Sequence, residues 1–230
     1  MNLDGVFMDM YGTITTGDRL AVETVCSEII SVTGVALSAR ELSVTWGERF
    51  FHAMDFHNDG HFLTLLEIEA QTLRETMAAL GVTIDPQQYV RRLSEYWQDP
   101  PLQPEVLGFL GAFTVPVCIV SNADRADVDA ALARHGIEVS GVMTSEDARS
   151  YKPDPKIFRD ALELTGWRRE RVIHVGDSLH SDVGGALLAG IRSAWVNRAH
   201  RIHDIGDLDR HQPDYELGNL NDLAALVEGS

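Results

Sequence analysis

The chain has 230 residues, 44% hydrophobic and 23% charged, which fits one large domain or a core with a sizeable insertion and excludes collagen-like, disordered and disulfide-scaffold classes. Acidic residues outnumber basic ones 35 to 19, and the formal charge of −16 argues against surface-wide affinity for nucleic acid or anionic membrane. No apolar run approaches the ~18 residues of a membrane span, the opening MNLDGVFMDM carries acids where a signal peptide needs basic residues, and Cys26 and Cys118 lie too far apart for a zinc motif. A cytoplasmic protein is expected.

In chain order, residues 3–10 read as a first strand. From about residue 20 to 97 the pattern is helical: Leu63, Leu66, Ile68, Leu73, Met77 and Leu80 recur at spacings near three and four, and Gly81 follows as a stop. The rhythm changes at the loop Asp99-Pro100-Pro101-Leu102-Gln103-Pro104. Strands at 115–120, 139–144, 172–175 and 193–196 then alternate with helices at 126–135, 155–165 and 182–190, and residues 215–227 hold a short strand and a closing helix. Cys118 falls inside an apolar strand as a small hydrophobe. Continuous apolar strands joined by helices predict a parallel sheet covered on both faces. The expected layout is an α/β core, residues 1–15 and 100–230, with a helical cap at 16–99, and a ligand bound at the carboxyl ends of the strands.

Four short motifs stand at those ends. Asp9 closes the first apolar run, Gly12 permits a tight turn after it, and Thr13 adds a hydroxyl. Ser121 and Asn122 follow the second strand, where a hydroxyl, an amide and backbone N–H groups suit an oxyanion or cap the next helix. In Tyr151-Lys152-Pro153-Asp154-Pro155 two prolines restrict the loop that presents Lys152. In Gly176-Asp177-Ser178-Leu179-His180-Ser181-Asp182 two carboxylates straddle a strand exit and a helix start; Asp177 with Asp9 offers the hard oxygen ligands that Mg²⁺ takes.

In this order the four motifs resemble the haloacid dehalogenase superfamily, over the whole chain and including a cap inserted after the first motif. The resemblance implies a Rossmann-like parallel sheet, Asp9 as nucleophile, Thr13 as support of the first loop, Ser121, Asn122 and Lys152 around the reacting group, and Mg²⁺ held by Asp9, the backbone carbonyl of Tyr11, Asp177 and Asp182. It also shows a departure. Phosphatases of the family carry a general acid and base two residues after the nucleophile, where this chain has Tyr11. Asp9-Met10-Tyr11-Gly12-Thr13 is similar to the opening of the 2-haloacid dehalogenases, in which the aspartate attacks carbon and a halide leaves without a proton. For an alkoxide leaving group a missing acid costs about 10²–10⁴-fold.

The fourth motif is similar to the magnesium-binding phosphatase pattern, and two matched acids outweigh one missing acid. The expected activity is therefore Mg²⁺-dependent hydrolysis of a small phosphate monoester through an aspartyl-phosphate, by a monomer or homodimer, with the leaving-group proton supplied by Tyr11, a cap residue or water, or with a substrate whose leaving group is good enough to need none. The alternatives are a metal-free 2-haloacid dehalogenase and a binding relative that lost turnover. His52, His57 and His61 with Asp55 and Asp59 offer ligand types for a second metal, but Asn58-Asp59-Gly60 reads as a turn. Arg40 or Arg49 would reach a substrate carboxylate in the dehalogenase. The stretch 198–211, rich in His, Arg and Asp, reads as a solvated loop.

Overall fold

The computed structural model describes residues 2–58, 60–198 and 211–228. Six parallel strands form one sheet: β1 (Gly5–Met8), β2 (Val117–Ser121), β3 (Gly141–Thr144), β4 (Val172–Gly176), β5 (Arg192–Val196) and β6 (Tyr215–Leu217), in the order β3-β2-β1-β4-β5-β6. Both faces are buried, so side chains of one strand enter two different cores. Val6 and Met8 join Ile119, Ile173 and Val175 on one side, while Phe7 joins Cys118, Val120 and Val172 on the other.

Four helices intervene between β1 and the rest of the sheet: α1 (Asp18–Thr33), α2 (Ala39–Phe56), α3 (Leu65–Ala79) and α4 (Gln87–Gln98). They enclose a core of their own, around Cys26, Ile29, Leu42, Trp46, Leu73, Met77 and Leu93. The chain enters and leaves this bundle side by side. Thr15 and Leu102 form an antiparallel bridge, Thr16 N–H donates to Pro101 O at 2.9 Å, and Gln103 N–H donates to Ile14 O at 2.9 Å. Beyond it come α5 (Val106–Ala112), α6 (Arg125–His135), α7 (Ser145–Ala148), α8 (Lys156–Thr165), α9 (Gly185–Ala189) and α10 (Leu220–Glu228). No helix among the described residues is long and apolar enough to cross a membrane.

Three elements differ from the sequence reading. The first strand is shorter than 3–10, ending at Met8 so that Asp9 begins the loop. Helix α5 was not expected, because Gly108 and Gly111 dilute its propensity; buried Val106 and Phe109 hold it. The expected helix at 182–190 is split. Leu179–Gly184 forms a wide π-type turn, in which Val183 N–H reaches back to Ser178 O at 3.1 Å, and only then does α9 begin.

Candidate active site

The strands run outward from β1 to β3 and start again at β4, beside β1. The crevice at such a reversal lies outside the carboxyl ends of the strands, and there Asp9 follows β1, Ser121 ends β2 and Asp177 follows β4. Asp9 N–H donates to Val175 O at 2.9 Å, which ties the residue to the neighbouring strand. Its side chain is buried, and its hydrogen bonds among the described residues both fall on Oδ1, from Ser121 Oγ at 2.9 Å and Lys152 Nζ at 2.8 Å. Burial raises the carboxyl's pKa, against the pull of Lys152 and with the push of Asp182.

Lys152 spends all three of its ammonium protons: on Asp9 Oδ1, on Val120 O at 2.9 Å and on Asp182 Oδ1 at 2.7 Å. Burial favours the neutral amine, but Asp182 and Asp9 together outweigh it and hold Lys152 charged. Asn122 does not present its amide to the crevice as a free donor. Its Nδ2 donates to Lys152 O at 3.0 Å and its Oδ1 accepts from Lys152 N–H at 2.7 Å, a clasp that fixes the lysine backbone.

Asp182 is equally engaged. Oδ1 accepts from Lys152 and from His174 Nε2 at 2.9 Å, and Oδ2 accepts from Ser178 N–H at 2.9 Å. Burial opposes its ionisation, but Lys152 and His174 hold the carboxyl well below the usual carboxylate range. Burial also lowers the pKa of His174, so its neutral ring serves as the Nε2–H donor. The π-type turn tucks Asp182 under the strand end: a Cβ on Gly176 would lie 2.1 Å from Asp182 Cγ. One oxygen each of Asp9, Asp177 and Asp182 lie within 4.8 Å of one another, a potential cation site. The first loop closes on this group at Gly12, whose φ of +88° and 2.7 Å approach of a Cβ to Asp177 Oδ1 leave no room for a side chain.

Tyr11 lines the cavity, and its hydroxyl is engaged. Its hydroxyl donates to Trp97 O at 2.8 Å, its ring meets the Trp97 ring edge-on at 5.1 Å, and burial holds the phenol far above its ordinary pKa. Thr13 is wholly buried, with no partner for its hydroxyl among the described residues. The loop is braced instead by Thr15 Oγ1, which donates to Met10 O and accepts from Gly12 N–H, each at 3.4 Å.

Above these residues lies a cavity of about 980 Å³, closed from the helical side by Arg40, Phe51, Met54, Glu69 and Trp97 among others. Arg49 does not line it. Glu69 escaped the sequence reading, although a glutamate in step with Thr72, Leu73 and Thr76 on the buried stripe of α3 was a legible signal. The histidines do not assemble with Asp55 into a ligand set among the described residues: His57 Nδ1–H donates to His61 O at 2.6 Å, and Asp55 pairs with His180 at 3.3 Å. Asp59 and residues 199–210 lie outside the described residues. Arg198 is not solvated as expected. It pairs with Glu105 at 2.6 Å and reaches Gly12 O at 3.4 Å, so it steadies the first loop.

Comparison with known proteins matches residues 3–190 to the haloacid dehalogenase-like hydrolases. An (S)-2-haloacid dehalogenase of Pseudomonas fluorescens is 24% identical over 237 aligned positions, covering 100% of this chain and 98% of that protein. The L-2-haloacid dehalogenase of Xanthobacter autotrophicus superposes with a TM-score of 0.80 at 19% identity, covering 99% of each chain. A phosphoserine phosphatase of Thermus thermophilus is 40% identical over 131 residues, 54% of this chain and 50% of that protein. Similarity over the whole length thus includes dehalogenases and, at the same 24% identity over 100% of this chain, a putative pyrophosphatase of Caldanaerobacter subterraneus, while higher identity over half the length runs to a phosphatase.

Proposed function

The chain belongs to the haloacid dehalogenase-like hydrolases, and within that family we propose that it is a Mg²⁺-dependent phosphohydrolase of a small phosphate monoester. The observation that carries this reading is Asp177. At the base of the cavity its carboxylate comes together with those of Asp9 and Asp182 beside Lys152, a set of hard oxygens that suits a cation next to an anionic substrate. The donor set fits Mg²⁺, which takes hard oxygens and keeps several waters. Asp9 and Asp177, with the Tyr11 carbonyl, would hold it; Asp182, both oxygens already accepting, stands behind them as the counter-ion of Lys152. When bound, the ion would neutralise phosphoryl oxygens.

Asp9 Oδ2, which accepts no hydrogen bond from the described residues, attacks phosphorus as the bond to the leaving oxygen breaks. Ser121 and Lys152 hold Oδ1 and so fix the carboxylate plane. Water then attacks the aspartyl-phosphate and restores Asp9. In the same reading residues 16–99 are a cap over a core of residues 1–15 and 100–230, and the cap selects the leaving group.

A second reading has specific support. Similarity over the whole chain favours a metal-free 2-haloacid dehalogenase more than a phosphatase, Tyr11 stands where a phosphatase has its acid, and Arg40 lines the cavity where a substrate carboxylate would need a cation. Asp9 would then attack carbon and expel halide. The two are separated by measuring hydrolysis of 4-nitrophenyl phosphate with Mg²⁺ and with chelator, beside halide release from 2-chloropropionate. Mg²⁺-dependent phosphate release without halide release is expected. Halide release that persists in chelator, with no phosphate release, would assign the chain to the dehalogenases.

A further inference from the structure

Glu69 is a buried carboxyl to which the steps above give no task. It stands on the second turn of α3, 4% exposed, yet lines the cavity that holds Asp9 and Lys152. Its one hydrogen bond among the described residues comes from Trp97 Nε1 at 3.3 Å, and no lysine or arginine pairs with it. Among the described residues the charged groups that act on it are acids, Asp127 of α6 and Asp124 just before that helix, and the Tyr151 phenol stands near it. A carboxylate buried in such company is costly, whereas a carboxylic acid is not.

Its placement is fixed from both sides. Thr64 and Glu67 form a capping box at the start of α3, and the Asp124 carboxylate accepts from Leu65 N–H at 2.7 Å and Leu66 N–H at 3.0 Å. Trp97 then connects Glu69 to the first loop, since its carbonyl takes the Tyr11 hydroxyl while its indole N–H donates to Glu69. Glu69 is therefore one tryptophan away from the position, two residues after Asp9, where the family's phosphatases are expected to carry their acid.

We propose that Glu69 is the proton donor and acceptor of this site, supplied by the cap in place of the carboxyl that Tyr11 displaces. The proposal rests on the phosphohydrolase reading. As Asp9 Oδ2 bonds to phosphorus, the Glu69 proton passes to the departing ester oxygen, which leaves as a neutral alcohol. The resulting carboxylate then takes a proton from the water that attacks phosphorus. The bond to Asp9 breaks, inorganic phosphate forms, and Glu69 is again protonated. Burial, opposed by the Trp97 hydrogen bond and reinforced by Asp124 and Asp127, pushes the carboxyl up to about 8, so it holds its proton at neutral pH.

The test compares wild type with Glu69→Gln on butyl phosphate and 4-nitrophenyl phosphate at saturating Mg²⁺. Glutamine keeps an acceptor for Trp97 but has no acid proton. On butyl phosphate kcat/KM should fall ~10²–10⁴-fold, while on 4-nitrophenyl phosphate, whose leaving group departs unprotonated, kcat/KM should hold and only kcat should fall, because the variant also lacks the base for hydrolysis of the aspartyl-phosphate; the retained kcat/KM shows the variant is folded. In wild type the butyl phosphate rate should decline above a pH of about 8, a limb absent from the variant, and Glu69→Asp should recover part of the loss. An equal loss of kcat/KM on both esters, no loss on either, or a limb that survives the substitution would overturn the proposal while leaving the phosphohydrolase reading intact. Wild-type protein that releases no phosphate from the aryl ester would remove both.

Discussion

Lys152 neutralises two buried carboxylates at once, with Nζ 2.8 Å from Asp9 and 2.7 Å from Asp182. Lys152→Met should therefore cost ~3–5 kcal/mol in denaturant unfolding as well as activity, because it leaves two buried carboxylates without their shared lysine cation. Asp9→Asn is the contrasting case. It keeps the shape and the Lys152–Asp182 pair, so fold should persist while all hydrolysis disappears; wild-type turnover in that variant would exclude Asp9 as nucleophile. Asp177→Asn should lower activity and weaken its dependence on Mg²⁺ together, read as a higher metal concentration for half-maximal rate. Asp9, Ser121, Lys152 and Asp177 were legible in the sequence because each follows or ends an apolar strand or sits in a proline-bound loop. The contacts of Asn122 and Arg198 were not, since they depend on which distant backbone group each side chain meets.

At the level of elements, α3 brings Glu69 to the cavity. The carboxyl is held up to about 8 against an ordinary 4.5, so the folded state binds a proton that the unfolded state releases. Stability from this group is complete below pH 4.5 and is lost as pH rises through about 8. Wild type should accordingly lose Tm between pH 6 and pH 9 more steeply than Glu69→Gln, which cannot ionise; parallel Tm curves would refute the shifted acid. Asp124→Ala, which strips two amides at the start of α3 of their acceptor, should cost ~1–2 kcal/mol by analogy with a lost helix cap. Periodicity revealed α3 and its stop near Gly81. It did not reveal the partners of the helix, because Asp124 and Trp97 come from segments far away in the chain. The π-type turn was hidden for a related reason: Leu179–Gly184 is short, and the glycine pair Gly184-Gly185 reads equally well as helix or loop.

For the molecule as a whole, alternation of strand and helix after residue 100 anticipated a parallel sheet, and the helical pattern after the first strand matches the helices that stand between β1 and β2. The sheet order was not legible, since apolar strands buried on both faces carry no mark of their neighbours. The two chain crossings at Thr15 and Leu102 have an evolutionary consequence. A helical bundle with its own interior, joined to the sheet through adjacent entry and exit strands, can be spliced out and replaced without re-threading the sheet. On the phosphohydrolase reading, the half of the reaction that handles phosphorus and the half that chooses the departing alcohol can then be inherited separately. A chimaera carrying residues 16–99 of this chain on a related sheet, along with Asp124, Asp127 and Tyr151 that grip it, should acquire this protein's substrate preference while keeping the host's nucleophile and metal.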